Sequence, residues 1–227
     1  MDGHAEALID LAAIASNVEA MRQHVRGTPV MAVVKADGYG HGMIPAARAA
    51  VAGGADWLGV VHEYEGLALR QAGLTTRVLS LLGAPGGPHE AAIRGEIDLT
   101  VDAVPLLNET AAAATRAGHP ARVHLKIDTG MSRGGATPAD WPALVAAARA
   151  AEAAGAHRFC MVTQGQGLSK RDFEKVLAGA RLVAEHTNLK RCASIGHMST
   201  DRARALKEAG IQRVHHNVET AESYYPE

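Results

Sequence analysis

Eight short apolar runs, separated by alanine-rich amphipathic stretches, most constrain what this chain can fold into. The runs fall at residues 30–34, 57–61, 78–82, 97–101, 123–127, 158–162, 191–195 and 213–217. Between them lie candidate helices at 44–53, 63–72, 87–94, 104–117, 139–154, 170–186 and 200–209, and a further amphipathic stretch, 9–24, precedes the first run. Regular alternation of strand and helix is the signature of βα units on a parallel sheet. Eight such units suit a single closed (β/α)8 barrel of TIM type, which leaves no bare sheet edge. Several candidate helices stop on glycine, as in RQAGL, RAGHP and KEAGIQ, where a left-handed cap ends a helix. An open doubly wound sheet is the alternative, but no GxGxxG follows the first run. With 227 residues and no low-complexity linker, one barrel domain, 1–227, is expected.

The first run ends on chemistry. MAVVKADGYGHG, residues 31–42, passes from a β-branched strand, expected to be covered on both faces, to Lys35 and then to a glycine-punctuated loop. In an α/β barrel the C-terminal end of a strand is where active-site residues sit. Lys35 is one of only two lysines among the first 156 residues, a stretch that otherwise draws its positive charge from arginine. A lysine snorkelling from a strand end is the ordinary reading; the company it keeps here favours a functional amine.

That motif resembles the cofactor motif of alanine racemases, and 123–135, VHLKIDTGMSRGG, resembles the same family. The resemblance spans about residues 5–150. It implies a barrel that binds pyridoxal 5'-phosphate, with Lys35 as the Schiff-base lysine and one of two racemisation bases. Tyr39 would touch the phosphate, Lys126 would be the strand lysine carbamylated in some members, and Arg133 would lie near the cofactor's phenolic oxygen. Without the resemblance, Lys126 and Arg133 read as a solvated strand-end lysine and loop arginine.

From about residue 151 the resemblance changes. GAHRFCMVTQGQGLSKRDFEKVL, LKRCASIGHMST and VHHNVETAESYYPE resemble an internal portion of biotin synthase, a radical S-adenosylmethionine enzyme on a barrel of its own. That family implies Cys160 and Cys192 as iron–sulfur ligands, with Asn217 and Glu219 facing cofactor and substrate. His215 stands where the family has asparagine. The C-x-x-x-C-x-x-C loop that holds its radical-generating cluster is absent, and two cysteines cannot build a four-ligand cluster alone. The expected architecture is therefore a hybrid barrel, five βα units from one family (1–150) and three from the other (151–227).

Charge balance shifts at the same place. Asp and Glu number 16 against 12 Lys and Arg over 1–155, then 8 against 11 over 156–227. A formal charge of −1 over the whole chain argues for no nucleic-acid or membrane partner. No leader pattern opens the sequence, and two cysteines make no disulfide framework, so a cytoplasmic setting and a monomer acting on small molecules at most are expected. Ser169 and Ser199 stand at helix starts, where ordinary N-capping accounts for them and anion binding is the alternative.

The expected function is a barrel scaffold retaining the pyridoxal-phosphate lysine without efficient turnover of either parent. Racemisation needs a base on each face of the cofactor, and loss of one general acid or base costs ~10² to 10⁴-fold. Two readings compete: a working single-domain pyridoxal-phosphate protein or weak racemase, and a remnant iron–sulfur or metal-binding barrel.

Overall fold

The computed structural model describes residues 7–25, 27–128, 134–137, 139–140, 143, 146, 158–162, 168–186, 190–195 and 198–215; at residues 127, 158–162, 182, 186, 192, 194 and 215 it describes the backbone alone. The strands are β1 (Met31–Val33), β2 (Trp57–Val60), β3 (Arg77–Ser80), β4 (Ile97–Val101), β5 (Val123–Asp128), β6 (Arg158–Val162), β7 (Lys190–Ser194) and β8 (Arg213–His215). The helices are α1 (Leu11–His24), α2 (Lys35–Tyr39), α3 (Met43–Ala52), α4 (Glu63–Gln71), α5 (His89–Arg94), α6 (Val104–Ala117), α7 (Lys170–His186) and α8 (Thr200–Glu208).

All eight strands form one parallel sheet in the order of the sequence, β1 through β8. That order excludes the doubly wound alternative, in which the strand order reverses partway across the sheet. Curvature follows from a side-chain contact. The Arg213 guanidinium lies 3.9 Å from the centre of the Trp57 ring, although β8 and β2 are six strands apart in the sheet. Flat, that separation would be about 29 Å at ~4.8 Å per strand. The sheet therefore rolls until its last strand meets its second, consistent with a TIM-type barrel.

Strand alternation divides the residues into two sets. Leu58, Val60, Val78, Leu99, Val101, Val123, Leu125 and Ala193 are buried in one apolar core with helix residues such as Ala47, Leu69, Leu106, Val176 and Leu206. The other face carries Trp57, Arg77, Asp98, His124 and Arg213. Asp98, 1 % exposed, accepts from Arg77 Nη2 at 3.2 Å, Arg122 Nε at 2.6 Å and His124 Nε2 at 3.2 Å. Trp57 is sandwiched between Arg77, 4.1 Å from its ring centre, and Arg213, with His124 edge-on at 6.1 Å. Period-two alternation thus puts aliphatic side chains under the helices and an ion-paired aromatic plug inside.

Turns are fixed by polar side chains. Asp10 caps α1 by accepting from the Ala12 and Ala13 amides. Arg70 donates to the carbonyls of Leu74, Thr76, Gly95 and Glu96, tying the α4–β3 turn to the α5–β4 turn. Ser169 and Ser199 accept from the Asp172 and Arg202 amides, as N-caps do.

Two expectations need correction. Residues 30–34 are not a fully covered strand: β1 has three residues, and Val33 is 42 % exposed. Its register partner is Gly59, which brings no side chain to cover it. The segment after Lys35 is not an irregular loop either, but the ordered turn α2. Among the candidate helices, 139–154 lies largely outside the described residues.

Candidate functional site

Lys35 stands where the sequence placed it, one residue past Val34 at the C-terminal end of β1, and it is half-buried. The Val34 amide still donates to the Gly59 carbonyl at 2.9 Å, so the neighbouring strand fixes the backbone that carries the lysine. Beyond it the chain winds the wrong way. Ala36, Asp37, Gly38 and Tyr39 all have φ between 53° and 59°, one left-handed turn. Left-handed helix costs about 1–2 kcal/mol per non-glycine residue, so three such residues make this the most strained segment described.

Specific bonds hold that turn. The Gly38 amide donates to Val34 and the Gly42 amide to Asp37, while the His41 ring lies 2.6 Å from the Gly38 carbonyl. Asp37 Oδ1 accepts from the Met43 amide at 2.7 Å, capping α3 because the residue at its N-cap, Gly42, has no side chain to do so. Gly38 is packed so closely on α3 that an added Cβ would lie 3.3 Å from Ala46. The turn directs the following Tyr39 outward, 78 % exposed, as a group poised at the rim must be.

Lys126 lies within β5, two residues before its end, and is half-buried. A Cβ added to Gly134 would sit 3.4 Å from its Nζ and 3.7 Å from both Asp102 Oδ2 and Leu82 Cδ1. Glycine there keeps space open beside an amine, a carboxylate and an aliphatic wall. Sequence reasoning did not single out Asp102 or Leu82; each follows a strand end by one or two residues, which is the signal that could have found them.

The remaining candidates are only partly described. Cys160 on β6 pairs in register with Lys126 on β5 and with Cys192 on β7, and Cys192 pairs with Arg213 on β8. The two cysteine positions therefore lie side by side on adjacent strands, their side chains outside the described residues. His215 ends β8, in register with Ser194. Arg133, Asn217 and Glu219 lie outside the described residues. Among the described residues no group of three or more His, Cys, Asp or Glu side chains is arranged to hold a metal ion, and no helix is long and apolar enough to cross a membrane.

Comparison with known proteins bears on this site. Residues 9–163 match the family described as alanine racemase, N-terminal domain. An alanine racemase of Frankia casuarinae is 57 % identical over 149 residues, 66 % of this chain and 39 % of that protein. That of Streptomyces coelicolor is 53 % identical over 156 residues, 66 % of this chain and 40 % of its own length. Among solved structures, the alanine racemase of a D-cycloserine-producing Streptomyces lavendulae superposes with TM-score 0.75 and 36 % identity, over 92 % of this chain and 56 % of that one. The Streptomyces coelicolor structure gives TM-score 0.73 and 42 % identity over 82 % of this chain and 52 % of that one. The chain spans about two fifths of the length of these curated relatives.

Proposed function

Because this chain belongs to the alanine racemase N-terminal domain family, we propose that its barrel mouth holds pyridoxal 5'-phosphate on Lys35. The observation that carries this reading is the half-buried lysine amine at a strand end, held between the Val34–Gly59 bond and an ordered left-handed turn. The residues present fit the group: a primary amine for its aldehyde, an exposed tyrosine hydroxyl on the same turn, and room at Gly134 beside the Lys126 amine. Bound, the cofactor would supply an electron sink that acidifies the α-hydrogen of an amino acid. Lys35 would anchor it and carry a proton at Nζ on one face. Tyr39 would donate its hydroxyl to the phosphate, while Lys126 and Arg133 would bring positive charge to the ring's oxygen side.

For these 227 residues alone we propose cofactor binding with little turnover, because no second base for the opposite face stands among the residues assigned here. We also propose that the racemase-like part ends near residue 150 and that 151–227 come from a biotin-synthase-like barrel, completing one domain of five and three units. Identity to the Streptomyces coelicolor racemase supports this: 53 % over 156 residues, but 42 % over the 82 % of the chain that superposes. Cys160 and Cys192 are then reduced thiols inherited without the rest of their cluster, and the chain is a monomer. Asn217, Glu219 and His215 would line the mouth as remnants of the second parent.

Titration with pyridoxal 5'-phosphate tests the site. A new absorption band, fixed by borohydride onto the peptide containing Lys35 and lost in Lys35→Ala, is the expected result. A band that survives in Lys35→Ala would sink the assignment. Interconversion of L- and D-alanine at a rate matching a full-length racemase would overturn the second part of the proposal.

A further inference from the structure

Away from the lysine, Glu63 at the start of α4 and His89 at the start of α5 are 4 % and 3 % exposed, among the few buried charged or polar residues of the molecule. His89 Nδ1 lies 2.6 Å from Glu63 Oε1, and its Nε2 lies 3.4 Å from Glu109 Oε1 on α6. Glu63 Oε2 and His89 Nε2 are buried and make no hydrogen bond among the described residues. The same Glu109 oxygen accepts from the Gly86 amide at 2.7 Å. Three successive βα units thus meet at one imidazole.

Proton counting shows why this is unusual. With one proton between Glu63 and Nδ1, the other ring nitrogen is a bare lone pair facing a carboxylate, two acceptors in contact. A second proton turns both contacts into donor–acceptor pairs, each charge-assisted and shielded from water. The loop between β3 and α5 depends on the outcome. Its Gly86 amide hangs on Glu109, its Gly87 amide bonds the Ala84 carbonyl, and the His89 amide bonds the Gly87 carbonyl. The loop begins with Leu82, the residue that borders the space at Gly134 beside Lys126.

We propose that Glu63, His89 and Glu109 form a proton-operated latch, which holds the β3–α5 loop down when loaded and frees it when the shared proton leaves. Besides His89 from α5 and Glu109 from α6, the only other ionisable group acting on the Glu63 carboxyl among the described residues is His62 at the head of α4. Glu90 faces away, bonded to Arg94 and Arg116. Burial pushes the Glu63 carboxyl above its ordinary 4.5, with His89 opposing. A group whose folded value lies above its unfolded one stabilises the fold fully at low pH and loses that contribution as pH rises from the ordinary value through the raised one. Rising pH therefore opens the latch. It does so whether or not the barrel binds a cofactor.

Amide hydrogen exchange of the full chain, followed from pH 5 to 9 and corrected for intrinsic rates, reads the loop directly. Protection of the Gly86, Gly87 and His89 amides should fall about tenfold across the step, the factor that one unit of pKa difference carries, while amides in β4 stay unchanged. Glu63→Gln places an amide donor against Nδ1 and leaves Nε2–H to bond Glu109, the loaded arrangement made permanent. Glu109→Gln does the same from the other side. Both variants should keep the loop protected across the whole range, and either suffices if the other does not fold. A flat profile in the wild-type chain, or a step retained in the variants, would overturn the latch.

Discussion

Ala36 bears more of the strain after Lys35 than its neighbours, since aspartate tolerates a left-handed backbone and Gly38 adopts it freely. Ala36→Gly removes that strain at some cost in unfolded-chain entropy, leaving an expected gain of about 0.5–1 kcal/mol, read as a higher urea midpoint. Asp37→Ala should cost about 1 kcal/mol by uncapping α3, measured the same way. Local sequence made Gly38, Gly40 and Gly42 legible as turn residues, but nothing in Ala36, Asp37 or Tyr39 announces positive φ. Their conformation is imposed by the strand behind and the helix ahead. Lys35 itself was legible because a strand end and a resemblance coincided at it.

Pairs and triplets of elements are joined by buried charge. Arg70 serves four carbonyls in two turns, a task for a planar fork that an ammonium cannot span. Arg70→Lys is expected to destabilise by about 2–4 kcal/mol, with exchange of the 72–76 and 95–96 amides rising together. Asp98 binds β3, β4 and β5 through Arg77, Arg122 and His124. Burial raises its carboxyl, but the His124 and Arg122 hydrogen bonds and charges prevail and hold it below the usual 3.8. Its contribution is thus present at neutral pH and lost as pH falls from the usual value through the lowered one. Asp98→Asn should cost about 3 kcal/mol near pH 7 and flatten the acid limb of a stability–pH curve. Strand and helix positions came within one or two residues of the apolar runs, with 104–117 and 170–186 matching α6 and α7. The polar interior did not, because charged residues at strand starts look like strand ends exposed to solvent until the sheet rolls them inward.

At the scale of the whole molecule, one contact joins the ends of the sheet. Arg213 and Arg77 flank Trp57, and Arg213 belongs to the part that resembles a different family from the part that carries Trp57. Arg213→Ala, in a Trp141→Phe background that leaves Trp57 as the only indole, should shift its emission to the red and lower the unfolding midpoint. A chain that loses neither would show that the last strands close on something else. Sequence pattern delivered the number and order of the strands; closure was beyond it, since it depends on a stack between residues 57 and 213 that no local pattern encodes.

A sheet whose spatial order repeats its sequence order can be laid down in the order of synthesis. Each strand, as it leaves the ribosome, finds its partner already in place. Trp57 is the exception: its second cation arrives 156 residues later, 213 minus 57, so one indole face must wait until nearly every other strand has been added. Closing so long a span is slow relative to pairing neighbours. In refolding, burial of Trp57 is expected to be the last event, trailing the growth of helical signal. Vectorial synthesis would spare the chain that wait only for its first seven strands.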